Sequence, residues 1–221
     1  MSYISVAIDG PAGAGKSSVS KEAAKKLGFV YIDTGAMYRA VALYAIRKGI
    51  IDDSAAIIDT LDDIAITIKY FDDAQHVFLC GKDVSGEIRT NEVSAGASAV
   101  AVIPEVRKKL VALQQEMAKS ENVIMDGRDI CSYVLPNAHV KIFLTASSDE
   151  RAKRRWLEMK EKGMECDLEQ LKADIEARDK NDSSRAEAPL RQAPDAMLLD
   201  TSDLSFEESV AEVLRLVEEV R

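Results

Sequence analysis

The sequence predicts an α/β fold, a three-layer sandwich with helices on both faces of a parallel sheet. Three observations carry this prediction. Short apolar runs without strict alternation recur along the chain, helical patterns separate them, and a glycine-rich loop joins the first run to the first helix. The runs are YISVAID (3–9), FVYIDTG (29–35), NVIMDG (122–127), HVKIFLTA (139–146) and AMLLDTS (196–202). Between the first two, SSVSKEAAKKLG sets Val19, Ala23, Ala24 and Leu27 on one helical face and stops at Gly28. Strand, glycine loop, helix and strand make one βαβ unit.

Two regions depart from the alternation. Residues 64–85 alternate apolar and polar around DDAQ, which predicts an antiparallel hairpin inserted into the sandwich. NEVSAGASAVAV follows, and then Pro104 opens a second helix, PEVRKKLVALQQEMAKS. The other departure is GMECD (163–167), between helices expected to begin at Ser147 and Asp167. Ser147 with Glu150 reads as a capping box, Asp167 offers a similar cap, and Ser205 opens the last helix with the box SFEE. Two charged helices joined by a short glycine loop suit a lid. The division expected is a single domain over 1–221, with an insertion at 62–106 and a lid region at 154–182.

Size and charge narrow the function. The 221 residues, 47% hydrophobic and 30% charged, suit one ordinary soluble globular domain. A net charge of −9 argues against a nucleic-acid partner, which demands a basic surface. Cys80, Cys131 and Cys166 are far apart, and His76 and His139 are isolated. That spacing points away from structural zinc or disulfides and toward a reducing cytoplasm. No basic segment precedes an apolar stretch at the N-terminus, and no run is long enough to span a bilayer, so no membrane role is expected. The acidic balance and the lack of coiled-coil heptads favour a monomer.

The chemistry begins at GPAGAGKS, Gly10 to Ser17, which fits G-x-x-x-x-G-K-[ST]. In that pattern the backbone N–H groups of Gly10, Pro11, Ala12, Gly13, Ala14 and Gly15 (proline excepted) face the phosphates of a nucleoside triphosphate. Lys16 reaches the β and γ phosphates, the Ser17 hydroxyl ligates Mg²⁺, and Ser18 continues into the helix, whose positive end adds attraction. Asp126 closes an apolar run and is the candidate second holder of Mg²⁺ or its water, with Asp9 as the alternative.

The acceptor side is read from the ends of the other runs. DTGAMYR, expected to enter a helix at Ala36, offers Thr34 and Arg39 beside Gly35. DGRD presents Arg128 and Asp129. RDKNDSSR spaces Arg178, Asp182 and Arg185 at steps of four and three, one face if helical, and Arg151, Arg154 and Arg155 share another face. Arginines recurring at strand ends and on a lid suit transfer of a phosphoryl group between two anions. No general base is visible. An acceptor that is itself a phosphate monoester needs none, because its second pKa of about 6 leaves its oxygen ionised at neutral pH.

At these residues the chain resembles the bacterial cytidylate kinases, a family of nucleoside monophosphate kinases. The blocks IDGPAGAGKSS, DTGAMYRA, GKDVSGEIRTNEVS, ASAVAVIPEVRKKL, DGRDI and RDKNDSSRAEAPL match in order and cover essentially the whole chain. The resemblance implies transfer of the γ-phosphate of ATP to CMP or dCMP. It implies that Thr34, Arg39 and Arg128 hold the acceptor phosphate, and that Ser98, Arg107 and Asp129 line the cytosine pocket. Arg178, Asp182 and Arg185 then serve ribose, base and transferring phosphate, with Arg154 near ATP. A carboxylate together with an arginine can tell cytosine from uracil by its amino donor. One departure stands out: after DGRDI the family pattern continues GTVVFP and this chain has CSYVLP, with Cys131 in place of a glycine. A buried, inert cysteine is expected there. Two other functions share part of this pattern. A P-loop kinase for a different small molecule would differ only in the base pocket. A P-loop nucleotide switch would leave the insertion and the acceptor-side arginines without a purpose.

Overall fold

A computed structural model describes residues 3–71, 74–161, 163–185 and 188–220. The chain divides into two compact units, Met1–Tyr31 with Ala118–Arg221, and Ile32–Met117. The second unit is wider than the 62–106 segment that the sequence marks as an insertion.

The first unit holds the parallel sheet. Its strands are β1 (Ser5–Asp9), β6 (Val123–Gly127), β7 (Val140–Thr145) and β8 (Met197–Asp200), with β2 (Val30–Asp33) at one edge, where the boundary between units falls after Tyr31. The order is β2-β6-β1-β7-β8, and β1 runs parallel to both β6 and β7, as β7 does to β8. All five residues of β1 and of β6 are buried, which is why neither run alternates in sequence. The register pairs Asp9 with Gly127 and with Phe143, so the loops after β1, β6 and β7 leave the sheet along one edge.

Helix α1 (Lys16–Leu27) buries Val19, Ala23 and Ala24 and ends at Gly28 in the left-handed conformation. It packs with α8 (Phe206–Glu218), whose Val210, Val213 and Val217 join Val6, Ile8 and Ile142 in one core. Ser205 caps α8 with the full reciprocal box to Glu208, as the sequence predicts. The box expected at Ser147 is only half made. Ser147 Oγ accepts the Glu150 amide at 3.2 Å, but Glu150 turns instead to Arg154, and α6 runs Ser148–Glu161. Helix α7 (Leu168–Ser183), capped by Asp167, packs along α6. It stops before Arg185, so that residue is not on a helical face with Arg178 and Asp182. Lys162 of the helix leading to GMECD, and Ala186 and Glu187 of the RDKNDSSRAEAPL block, lie outside the described residues.

In the second unit α2 (Thr34–Lys48) starts two residues before the expected Ala36. Asp33 caps it by accepting the Ala36 amide, so the helical turn already includes Thr34 and Gly35. The short α3 (Ser54–Asp59) follows. The expected hairpin is β3 (Ile66–Phe71) antiparallel to β4 (Ala74–Leu79), and a third strand, β5 (Lys82–Asp83), extends it. Asp72 and Asp73 of its turn lie outside the described residues. Helix α4 (Asn91–Val100) lies close against α2 because it presents Gly96. A Cβ there would meet Ala42 Cβ at 3.2 Å and Ile51 Cδ1 at 3.3 Å. Helix α5 (Pro104–Ser120) buries Val106 and Leu110 in the same core as Met37 and Val41.

Candidate active site

The loop from Gly10 to Gly15 connects β1 to α1 at the carboxyl edge of the sheet. Gly13 and Gly15 take φ of 76° and 88°, the left-handed region that glycine alone enters freely. A Cβ on Gly10 would stand 1.9 Å from the Leu144 carbonyl oxygen, so the loop fits against β7 only without a side chain. Gly15 provides no side-chain cap, and the first turn of α1 holds no acidic residue. The amides and positive end of α1 therefore suit an anionic ligand.

Lys16 opens α1 and is 5% exposed, with Nζ donating to the Pro11 carbonyl at 2.7 Å. Burial and then the charge of Arg128 pull its pKa down to about 7, with Arg178 acting the same way and Asp126 and Asp9 opposing. Lys16 thus shares one electrostatic environment with four other residues singled out from the sequence.

Ser17 Oγ donates to Asp126 Oδ2 at 2.8 Å, and Tyr31 donates its hydroxyl to Asp126 Oδ1 at 2.8 Å. A hydroxyl beside a carboxylate suits Mg²⁺, which takes one or two protein oxygens and fills its shell with water and phosphate. Among the described residues no group of three or more His, Cys, Asp or Glu could hold a metal by itself. Asp9 is engaged otherwise: its two oxygens accept the amides of Ile130 and Cys131, each at 2.8 Å. Burial raises its pKa to about 6, against the lowering effect of those two amides. Asp9 is therefore an anchor for the chain that follows Asp129.

Arg128 and Asp129 follow β6 directly. Arg128 Nε donates to Asp182 Oδ2 at 2.8 Å and Nη1 to the Gly127 carbonyl at 3.2 Å. Arg185 donates to the other oxygen of Asp182, so Asp182, 2% exposed, is shared by two guanidinium groups despite the helix ending between them. Asp129 is buried and leads into a π-helical turn, Ile130–Val134. Cys131 in that turn is 1% exposed, with Sγ near the carbonyls of Ala7 (3.4 Å) and Ile142 (3.6 Å). Burial, and then the charge of Asp9, push its thiol pKa well above the ordinary range. The burial expected of this cysteine from the sequence is what the structure shows.

Arg154 bonds Glu150 and wraps Thr201, with Nη2 on its carbonyl at 2.6 Å, and its Nη1 would lie 3.8 Å from a Cβ on Gly15. Arg155 pairs with Glu158 on the exposed face. Arg151, read from the sequence only as one of three arginines on a helical face, touches the phosphate loop. Its Nη1 donates to the Ala12 carbonyl at 2.9 Å.

In the second unit, Thr34 is buried at the first position of α2, and Arg39 Nη2 donates to Asp33 Oδ2 at 2.6 Å. Asp33 both caps α2 and aims Arg39, and its amide donates to Gln75 Oε1 at 2.9 Å. Gly35 leaves room for this pair, since a Cβ there would be 3.1 Å from Asp33 Oδ1 and 3.3 Å from Arg39 Nη1. Ser98 is half-buried on α4, and Arg107 is 4% exposed on α5.

A parallel sheet, a glycine loop entering a helix, a buried lysine and a serine–aspartate pair define a P-loop kinase. Within that class the chain belongs to the cytidylate kinase family, whose model matches residues 6–219. Relatives described as cytidylate kinase include one from Caldicellulosiruptor bescii, 54% identical over 98% of this chain and 96% of its own. Another, from Shouchella clausii, is 53% identical over 97% of this chain and 96% of its own. Among solved structures, a gluconokinase from Sinorhizobium meliloti superposes with a TM-score of 0.51 at 16% identity, over 98% of this chain and 93% of that one. An uncharacterized protein from Eubacterium ventriosum gives a TM-score of 0.55 at 12% identity, over 97% of this chain and 98% of that one. At those identities the likeness is one of fold. No helix among the described residues is long and apolar enough to cross a membrane.

Proposed function

We propose that this chain transfers the γ-phosphate of ATP to CMP or dCMP, giving ADP and CDP or dCDP. The observation that carries the reading is agreement with cytidylate kinases over nearly the full length, at about half identity, in a chain whose donor loop is intact. ATP lies on the Gly10–Ser18 loop, with backbone amides and the α1 N-terminus on its phosphates and Lys16 on the γ-phosphate. Arg154 lies near the ATP. Mg²⁺, held by Ser17 with Asp126, supplies charge neutralisation on the phosphates.

For the acceptor, Thr34, Arg39 and Arg128 hold the CMP phosphate, and Ser98, Arg107 and Asp129 line the base. Arg178, Asp182 and Arg185 serve ribose, base and the moving phosphoryl group. The acceptor oxygen is already ionised near neutral pH, so catalysis is alignment and neutralisation of charge. Residues 62–106 act as the monophosphate-binding insertion and 154–182 as the lid, which excludes water as a competing acceptor. The scattered cysteines suit a reducing cytoplasm, and the acidic balance without coiled-coil heptads supports a monomer.

The test follows ADP release from ATP and Mg²⁺ with CMP, dCMP, UMP, AMP, GMP and TMP in parallel. CMP and dCMP are expected well above the rest. A different winner keeps the donor site and overturns the base pocket. Stimulation by none overturns the kinase reading in favour of a nucleotide switch.

A further inference from the structure

Arg151 is given no substrate contact above, yet its guanidinium spans three segments of the first unit. Nε donates to the Ala146 carbonyl just past β7 at 2.9 Å, and Nη1 to the Ala12 carbonyl in the phosphate loop at 2.9 Å. Nη2 pairs with Asp179 Oδ2 on α7 at 2.7 Å. The side chain is 7% exposed, and a Cβ on Gly13 would touch Arg151 Cβ at 3.4 Å, so the crown of the loop rests on this residue. The Ala12 carbonyl is held from outside the loop, and a buried arginine with three separate acceptors is a rigid way to hold it.

The far end of the contact matters as much. Asp179 follows Arg178 directly and precedes Asp182 by three residues, which puts it one turn from the carboxylate that Arg128 and Arg185 share. One guanidinium therefore ties the backbone of the phosphate loop to the helix that carries Arg178 and Asp182. We propose that Arg151 and Asp179 form a positioning strap that keeps donor phosphate and acceptor in register for transfer. The strap touches no substrate. It acts through the Ala12 carbonyl and through α7, and it rests on the kinase reading above.

Transfer has a competitor, because water can take the same phosphoryl group to give ADP and inorganic phosphate. Register decides between them: an acceptor oxygen displaced by about 1 Å can lose on the order of a hundredfold in rate, while water needs no such placement. The experiment measures CDP and inorganic phosphate from the same reaction, for the wild type, Arg151→Lys, Asp179→Asn and the double variant. Lysine keeps the charge and loses the three-way reach, and asparagine keeps the shape and loses the charge.

Each single variant is expected to lower the ratio of CDP to phosphate about tenfold or more. KM for ATP and for CMP should stay within about threefold. The double variant should be no worse than the worse single, since the two residues act as one unit. Partial unfolding lowers both products together and leaves the ratio alone, so an unchanged ratio overturns the strap even where total activity falls. Multiplying losses in the double variant overturn it too. If the wild type prefers another monophosphate, the base-pocket reading fails and the same ratio is read with that acceptor. If no monophosphate yields a phosphorylated product, strap and kinase reading fall together.

Discussion

Ser17 and Asp126 are 109 residues apart in the chain and 2.8 Å apart in space, the serine hydroxyl donating to Oδ2 of the carboxylate. The parallel pairing of β1 with β6 creates this meeting, because it brings the ends of both strands to one edge. Asp126→Asn keeps the shape and removes the charge that draws a divalent cation. It is expected to lower kcat about a hundredfold and to raise the Mg²⁺ concentration needed for half-maximal rate. An Mg²⁺ titration of turnover checks both, and an unchanged Mg²⁺ dependence would remove Asp126 from this role. The affected step is charge neutralisation on the phosphates.

Asp182 is 2% exposed and accepts from both Arg128 and Arg185, so its carboxylate offsets two nearby cations. Asp182→Ala leaves those guanidinium groups facing each other and is expected to cost about 3 kcal/mol of stability, since it breaks a mostly buried ion pair. KM for CMP and dCMP should rise about tenfold or more, and KM for ATP should change far less. Denaturant unfolding and initial rates check the two parts. If KM is unchanged for both acceptors, Asp182 does not belong to the acceptor site.

Much of this was legible in the sequence because it is local. The five parallel-sheet strands, of which β1 and β6 are fully buried and β8 is mostly exposed, the glycine loop, the Ser205 box and the Gly28 stop all follow from short-range rules. What escaped was contact between distant segments. Arg151 reads as one of three arginines on a charged helix, and nothing in SSDERAKRRW tells that Ala12 and Asp179 lie within its reach. Tyr31 sits on a strand without alternation, so the sequence cannot say which way its hydroxyl points. A strand-end carboxylate such as Asp9 can serve either purpose, and the two amides it accepts, 121 and 122 residues away, could not be read from the sequence. Glu150 had a choice of partners, the Ser147 amide or Arg154, and the arginine took it.

Cys131 is buried with its thiol pKa pushed up, whereas Cys80 is exposed. Thiolate is the reactive form, so a maleimide reagent near neutral pH should label Cys80 readily and leave Cys131 unmodified in the native protein. Peptide mapping before and after denaturation checks this. Labelling of native Cys131 at a rate comparable to Cys80 would mean that the turn after Asp129 opens often, and that Asp9 does not anchor it.

The buried Lys16 makes nucleotide binding depend on pH. Its pKa in the folded protein without nucleotide is about 7, lowered first by burial and next by Arg128, against an ordinary 10.5. Between those values the unfolded chain binds the extra proton, so this group adds stability as pH rises through the window. Nucleotide reverses the balance. Phosphates placed on Lys16 favour the ammonium form, so a lysine neutral at about pH 8 takes up a proton when ATP binds. ATP affinity should therefore fall as pH rises above about 7, by up to tenfold per unit, until the pKa of the bound state is reached. Titration calorimetry at about pH 8 in two buffers of different ionisation enthalpy should report uptake approaching one proton. Lys16→Met should abolish both the uptake and the transfer. If heats are independent of buffer in the wild type, Lys16 is already charged before the nucleotide arrives, and Asp126 and Asp9 outweigh its burial.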